Sequence, residues 1–337
     1  MAERTLSTLQ AVREGLFQAM ERHDDVIVYG EDVVGGAGRG APYEGSMGGT
    51  FGATKGLFEA FGSTRVRDTP ISEAGMTGIA VGAAAAGIRP VVDLMWSSFT
   101  PLAADQIINQ ASKLRYMFGG QARVPLVLRM AIGAGLGAAG QHSDTYYSLY
   151  THIPGLKVVT PSTPADAKGL LLAAIEDPNP VLVMEHMALY NTRGDVPEEY
   201  YTVPLGEGRT VREGSDVTIV GISSMVTRAM VAAEQLDEEG VSVEVIDPRT
   251  LSPLDTDLLI ESARRTGRLV VVDESPPRCS VAADIAATVG EAAFGSLTAP
   301  IRRVNAPHSP VPLSPPLEQA YIPSVERIVG AVRSTLD

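Results

Sequence analysis

Along the first half of the chain, short runs of β-branched and aliphatic residues alternate with stretches whose apolar positions fall at helical spacing. The runs are VIVY from Val26, TRVRD from Thr64, PVVDLM from Pro90, VPLVLRM from Val124, LKVVT from Leu156 and PVLVME from Pro180. The alternation predicts a parallel sheet with helices on both faces. From Asn191 the text changes to NTRGDVPEEYYTVPLGEGRT, with two prolines and four acidic residues, and reads as a linker over 191–210. A second series follows: DVTIVG from Asp216, a helix over 225–239, VSVEVID from Val241, a helix over 255–265, RLVVVDE from Arg268 and APIRRV from Ala299. The expected architecture is therefore two doubly wound α/β domains, 1–190 and a smaller 211–337. VNAPHSPVPLSPPLEQAYIPS, proline-rich but interleaved with apolar residues, is expected to lie over the second domain.

Composition narrows the function classes. A length of 337 residues suits two domains, and 45% hydrophobic with 20% charged residues suits a globular chain with large cores. The net charge of -13 leaves no basic stripe for nucleic acid. A single cysteine, Cys279, excludes an internal disulfide or a cysteine metal cage and fits a reducing compartment. MAERTLSTLQ is not a signal segment, and the low-polarity run from Gly75 to Ile88 is too short to span a bilayer, so a cytoplasmic location is expected.

Gly135, Gly137 and Gly140 in GAGLGAAG satisfy G-x-G-x-x-G directly after a predicted strand. A dinucleotide site also needs an apolar helix next and an acid after the following strand, about twenty residues on. QHSDTYYSLYTHIPG, polar and aromatic, follows instead. The other reading is a glycine loop that lets a backbone or a ligand come close.

Candidate chemistry starts at DTPISEAG. Ser72 is a good N-cap residue, and Glu73 falls in the first turn, where a helix dipole favours negative charge. The helix behind it is built from glycine and alanine, which weakens it but lets another surface pack closely. Phe99 follows a strand, at the edge where parallel sheets place ligands, although core packing also accounts for it. His142, on the glycine loop, can move between hydrogen-bond partners as an acid or base. His152 and His186 are weaker candidates, and His23 and His308 read as surface or packing residues. Ser143 and Asp144 beside His142 cannot form a hydrolase triad, because neighbours in sequence cannot reach that geometry.

At these residues the chain resembles the β subunits of thiamine-diphosphate-dependent 2-oxo acid and acetoin dehydrogenases, relatives of transketolase. YGEDV, DTPISEAG, GIAVGAAAAGIRPVVDLM, DQIINQASKLRYMFGG, GQHSD, THIPGLKVVTPSTPADAKGLL, EDPNPVLVMEH and VIDPRTLSPLD carry the resemblance nearly end to end. It implies a transketolase-like pyrimidine-binding domain followed by a transketolase C-terminal-like domain. It implies that Glu73 hydrogen-bonds a ring nitrogen of the cofactor's aminopyrimidine and that Phe99 packs on that ring. His142 corresponds to a histidine that handles protons and helps pass the acyl group to a lipoyl arm. Glu31 corresponds to a carboxylate of the subunit interface. Leu126, Ala174, Asp177 and Asn179 fall where some relatives hold a monovalent cation such as K+.

The family's diphosphate and Mg2+ motif, G-D-G followed by an asparagine, is absent from this chain and belongs to the α subunit of two-gene members. The resemblance thus implies an α partner in a heterotetramer of two α and two β chains, and a lipoyl acyltransferase core. GGAGRGAPYEGSMGGTFGATKGL, YMFGG and GAGLGAAGQHS look nearest to acetoin dehydrogenase β chains. Gly137, where a larger residue is expected, and Asp144, where glutamine is frequent, keep pyruvate and branched-chain 2-oxo acids open as substrates. A non-catalytic scaffold and a nicotinamide dehydrogenase are the readings of other classes.

Overall fold

The computed structural model describes residues 4–35 and 48–337. In chain order its strands are β1 (Thr5–Ser7), β2 (Val26–Gly30), β3 (Val66–Asp68), β4 (Arg89–Trp96), β5 (Val127–Ile132), β6 (Lys157–Val159), β7 (Val181–His186), β8 (Arg193–Asp195), β9 (Arg209–Arg212), β10 (Val217–Gly221), β11 (Val243–Asp247), β12 (Thr250–Ser252), β13 (Leu269–Asp273) and β14 (Arg302–Asn305). Among the described residues they form a seven-stranded sheet ordered β12-β6-β7-β5-β4-β2-β3, a five-stranded sheet ordered β14-β13-β10-β11-β9, and the small ribbon β1-β8. Strands β2 to β7 are all parallel, as are β10, β11, β13 and β14.

The first sheet is covered on both faces because its strands present apolar residues to each side. Val91, Val127, Val181 and Val183 pack with Val12, Leu16, Leu170 and Leu171 of the helices Thr8–Arg22 and Pro164–Glu176. The opposite side chains, Val92, Leu128, Met130 and Leu182, pack with Met76, Ala80 and Ala84 of the helix Glu73–Ala85. That second cluster runs on without a break into Val220, Ile222, Ile246 and Leu259 of the second domain. One continuous apolar core therefore joins the two domains, and burial of this kind contributes roughly 25 cal/mol per Å2.

Two segments depart from the sequence pattern. Residues 191–210, expected as linker, contain β8, which pairs antiparallel with β1, and the start of β9, which pairs antiparallel with β11. Strand β12, from the second half of the chain, crosses back and pairs antiparallel with β6 on the edge of the first sheet. The proline-rich segment does not simply cover the second domain. Val311, Tyr321 and Ile322 pack in that domain's core, yet Pro310 and Val311 also lie against Gly140 of the first.

Candidate active site

A parallel sheet gathers the loops that follow its strands along one edge, and a crevice opens where the strand order reverses. In the first sheet β2 leads to β3 on one side and to β4 on the other, so the crevice lies between β2 and β4. Glu31 directly follows β2, Glu73 opens the helix after β3, Phe99 follows β4, and His142 lies in the loop after β5. The four residues thus come from four neighbouring strands at one edge.

Glu73 is 6% exposed, yet its carboxylate engages no hydrogen-bond donor among the described residues. The expected cap is not made: Ser72 accepts no helix N–H, and its Oγ instead lies over Gly75, where an added Cβ would sit 2.7 Å from it. The helix start is held by the Tyr29 hydroxyl, which donates to the Met76 carbonyl at 2.9 Å. One helix face, Met76, Thr77, Ala80, Val81 and Ala84, is buried, whereas Ala74, Gly75, Ile79 and Gly82 are exposed. Glu31 is half-buried, and its carboxyl is pushed above the ordinary range by burial and by the charges of Asp32 and Glu73. Two carboxylates therefore feel each other at this edge.

Phe99 and His142 meet through Trp96. The Trp96 ring stands edge-on to His142 at 4.5 Å and to Phe99 at 5.6 Å, and Phe99 lies 5.5 Å from His142. His142 is therefore boxed by aromatic rings and does not swing freely as its loop position suggested. Asp144 ties the two loops together: Ser98 Oγ donates to its carboxylate at 2.9 Å and Ser97 Oγ to its carbonyl at 2.5 Å. Beneath the edge, Arg129 donates to both oxygens of Glu185 at 2.6 and 2.7 Å and to Asp93 at 2.6 Å. Burial opposes its charge, but Glu185 and Asp93 more than restore it, so the guanidinium stays protonated. Sequence reasoning singles out none of Trp96, Arg129, Glu185 and Asp93; the signal for the last three is a charged residue inside an apolar strand, and Trp96 offers none beyond its place at a strand end.

The glycine loop is not a dinucleotide cradle. The Gly135 and Gly137 amides both donate to Glu318, at 2.8 Å and at 3.0 to 3.1 Å, and the Ala134 amide donates to Glu274 at 2.6 Å. Both acceptors come from the second domain, and the next helix, Tyr147–Thr151, is short. With its amides already bonded to protein carboxylates, the loop has none of these donors left for a pyrophosphate. His186 is buried and hydrogen-bonds Glu274 at 2.8 Å, and its Nδ1 accepts from the Ala188 amide, so it serves the domain joint. Burial favours a neutral Glu274, but His186, the Ala134 amide and Arg228 reverse that and hold its carboxyl below the ordinary range.

The four residues proposed for a cation gather at the opposite edge of the sheet. The Leu126 carbonyl accepts from Val181, Asp177 caps the helix carrying Ala174, and Asn179 precedes β7. Asp177 is paired with Lys157 and accepts from Asn179, whose own Oδ1 accepts from Arg115 at 2.6 Å. Part of the glycine-rich insertion, residues 36–47, lies outside the described residues.

Comparison with known proteins fits this geometry. The transketolase pyrimidine-binding domain matches residues 4–193 and the transketolase C-terminal domain residues 206–328. The acetoin:2,6-dichlorophenolindophenol oxidoreductase β subunit of Bacillus subtilis (strain 168) is 51% identical over 99% of this chain and 98% of its own. That of Cupriavidus necator is 52% identical over the same shares. The chain belongs to the dehydrogenase β-subunit family. The pyruvate dehydrogenase E1 component β subunit of Rhizobium meliloti is 44% identical over 98% of this β subunit and 70% of that protein. A split-gene transketolase, solved as an inactive β4 tetramer, shares the fold at a TM-score of 0.77 and 21% identity, over 98% of both chains. The expected pair of α/β domains of transketolase type is thus borne out. Among the described residues of this β subunit, no helix is long and apolar enough to cross a membrane.

Proposed function

We propose that this β subunit completes, with an α subunit, a thiamine-diphosphate site that converts acetoin and passes an acyl group to a lipoyl carrier. The observation that carries the reading is Glu73, 6% exposed and with no hydrogen-bond donor on its carboxylate among the described residues, at the sheet's crevice with Glu31, Phe99 and His142 on the same edge. A carboxylate at a crevice with no internal donor suits a ligand that brings one. An aminopyrimidine offers a ring nitrogen for Glu73 and a flat face for Phe99. The other half of the cofactor does not fit this chain alone: no group of three acidic or histidine side chains suited to a metal occurs among the described residues. The diphosphate and Mg2+ are assigned to the α subunit, across the exposed small-residue face of the helix Glu73–Ala85.

Thiamine diphosphate, when bound, supplies a carbon nucleophile and an electron sink. Within that site Glu73 holds and returns a proton at the aminopyrimidine nitrogen. Phe99 orients the ring and keeps water from it. His142 handles protons on the substrate side and during acyl transfer. Glu31, with its raised carboxyl, exchanges a proton across the subunit interface. Leu126, Ala174, Asp177 and Asn179 form a structural cation position, the chain divides at 191–210, and the complex works in the cytoplasm around a lipoyl acyltransferase.

Acetoin is favoured over pyruvate or a branched-chain 2-oxo acid by the two more similar relatives, whose names carry acetoin. The test combines the chain with an α subunit that carries G-D-G and measures dye reduction with acetoin, pyruvate and branched-chain 2-oxo acids. Activity with acetoin supports the reading. Activity with pyruvate alone replaces the substrate, and no activity with any of the three returns the chain to a scaffold role.

A further inference from the structure

The loop that carries His142 is held from the other domain. Glu318, in the helix Pro315–Tyr321, is 2% exposed, and the donors it engages are the backbone amides of Gly135 and Gly137. Gly135, Gly137 and Ala139 all have positive φ, at 116°, 67° and 58°. A backbone on that path makes no regular hydrogen bonds of its own and depends on an outside acceptor, and the Gly135 and Gly137 amides, turned to one side, form a concavity for a carboxylate. Glu274 takes the preceding amide, Ala134, and Gly140 rests on Pro310 and Val311. Beyond Gly140 the chain turns once, through the His142 amide and the Ala139 carbonyl at 3.3 Å, and is fastened again at Asp144.

We propose that Glu318 is a positioning residue of the active site: it fixes the 133–140 backbone from the second domain and so holds the His142 imidazole against Trp96 and Phe99. The inference rests on the role of His142 proposed above. Trp96 is the chain's single tryptophan, and its ring contacts His142, so its emission gives the geometry a direct optical readout.

The test uses the full chain, alone and in its α-containing complex, with Glu318→Ala, Glu318→Gln, His142→Ala and the double variant Glu318→Ala/His142→Ala. In the chain alone, His142→Ala shifts the Trp96 emission, because it removes a ring whose centroid lies 4.5 Å from the indole. Glu318→Ala is expected to shift the emission in the same direction and to speed hydrogen exchange at the 133–142 backbone, while the β10 and β13 amides stay protected. In the complex, Glu318→Ala lowers kcat by about 10²-fold, the loss that a displacement of about 1 Å can cause, with KM little changed. Glu318→Gln keeps a carbonyl oxygen for the amides and recovers most of kcat. In the His142→Ala background, Glu318→Ala costs nothing further.

An unchanged Trp96 emission in Glu318→Ala, or an equal loss of kcat in the His142→Ala background, would overturn the proposal. If His142→Ala keeps full turnover, the catalytic reading of His142 fails. The Trp96 emission and the exchange pattern still decide whether Glu318 places that ring.

Discussion

The two sheets of this chain are built alike, yet their carboxyl edges are put to opposite uses. At the edge of the first sheet, Glu31 and Glu73 are acids without hydrogen-bond donors among the described residues, and Phe99 and His142 are half-exposed rings. At the edge of the second, Asp247, Asp273 and Glu274 are buried, and each accepts a hydrogen bond from the first domain. Asp247, ending β11, accepts from Ser162; Asp273, ending β13, accepts from Tyr147; Glu274 accepts from His186 and the Ala134 amide. Equivalent positions in one architecture thus become a socket in one domain and an open site in the other. Groups left without internal partners mark the place reserved for an outside molecule.

If the second edge is a socket, removing its acids should cost stability first. The largest effect is expected for Glu274→Ala, which leaves His186 and the Ala134 amide unpartnered in the interior: a loss of about 3–5 kcal/mol in urea unfolding. A loss below about 1 kcal/mol would mean the joint does not rely on that carboxylate.

The acids of the socket should also respond to pH with opposite signs. Burial, opposed only in part by Ser162, the Arg249 amide and Arg209, raises the Asp247 carboxyl to about 6. Its folded value lies above its unfolded one of about 3.9, so ionisation favours the unfolded chain, and stability falls as pH rises from about 4 to about 6, by about 3 kcal/mol. Glu274, held below its ordinary 4.5, contributes stability that is present above that pH and is lost as pH falls through its lowered value. Asp273 is raised by burial as well, so unfolding of Asp247→Asn across pH 4–7 should show a shallower falling limb, and an unchanged slope would place it elsewhere.

The smallest effects separate the two ends of the glycine loop. A Cβ at Gly133 would overlap the His186 imidazole, whereas one at Gly137 meets nothing within 4 Å. Both positions are left-handed, which costs a substituted residue roughly 1–2 kcal/mol. Gly133→Ala should add about 1–3 kcal/mol for the overlap, and Gly137→Ala should not. Thermal unfolding of the pair measures that gap, and equal losses would contradict the packing of the loop on His186.

Much of this was legible in the sequence because it is local. Each of the six apolar runs in the first half became a strand, β2 to β7, since buried parallel strands need little more than continuous β-branched and aliphatic residues. Glu31, Glu73, Phe99 and His142 were legible through the motifs around them, and the sheet brings them to one edge. What stayed hidden is non-local. Glu318 reaches Gly135 across 183 residues, and β12 returns to β6, without any periodicity that announces either. Ser72 shows the converse: its residue type predicts a cap, but the close approach at Gly75 turns its hydroxyl elsewhere.

The most direct test of the contrast between the two edges is Glu73→Gln, measured for turnover and unfolding together in the complex with the α subunit. The account predicts that acetoin-dependent dye reduction falls by about 10²–10⁴-fold, while unfolding of the β chain moves by less than about 1 kcal/mol. Turnover within roughly two-fold of wild type, or a collapse of stability like that expected for Glu274→Ala, would show that Glu73 serves the fold and not the chemistry.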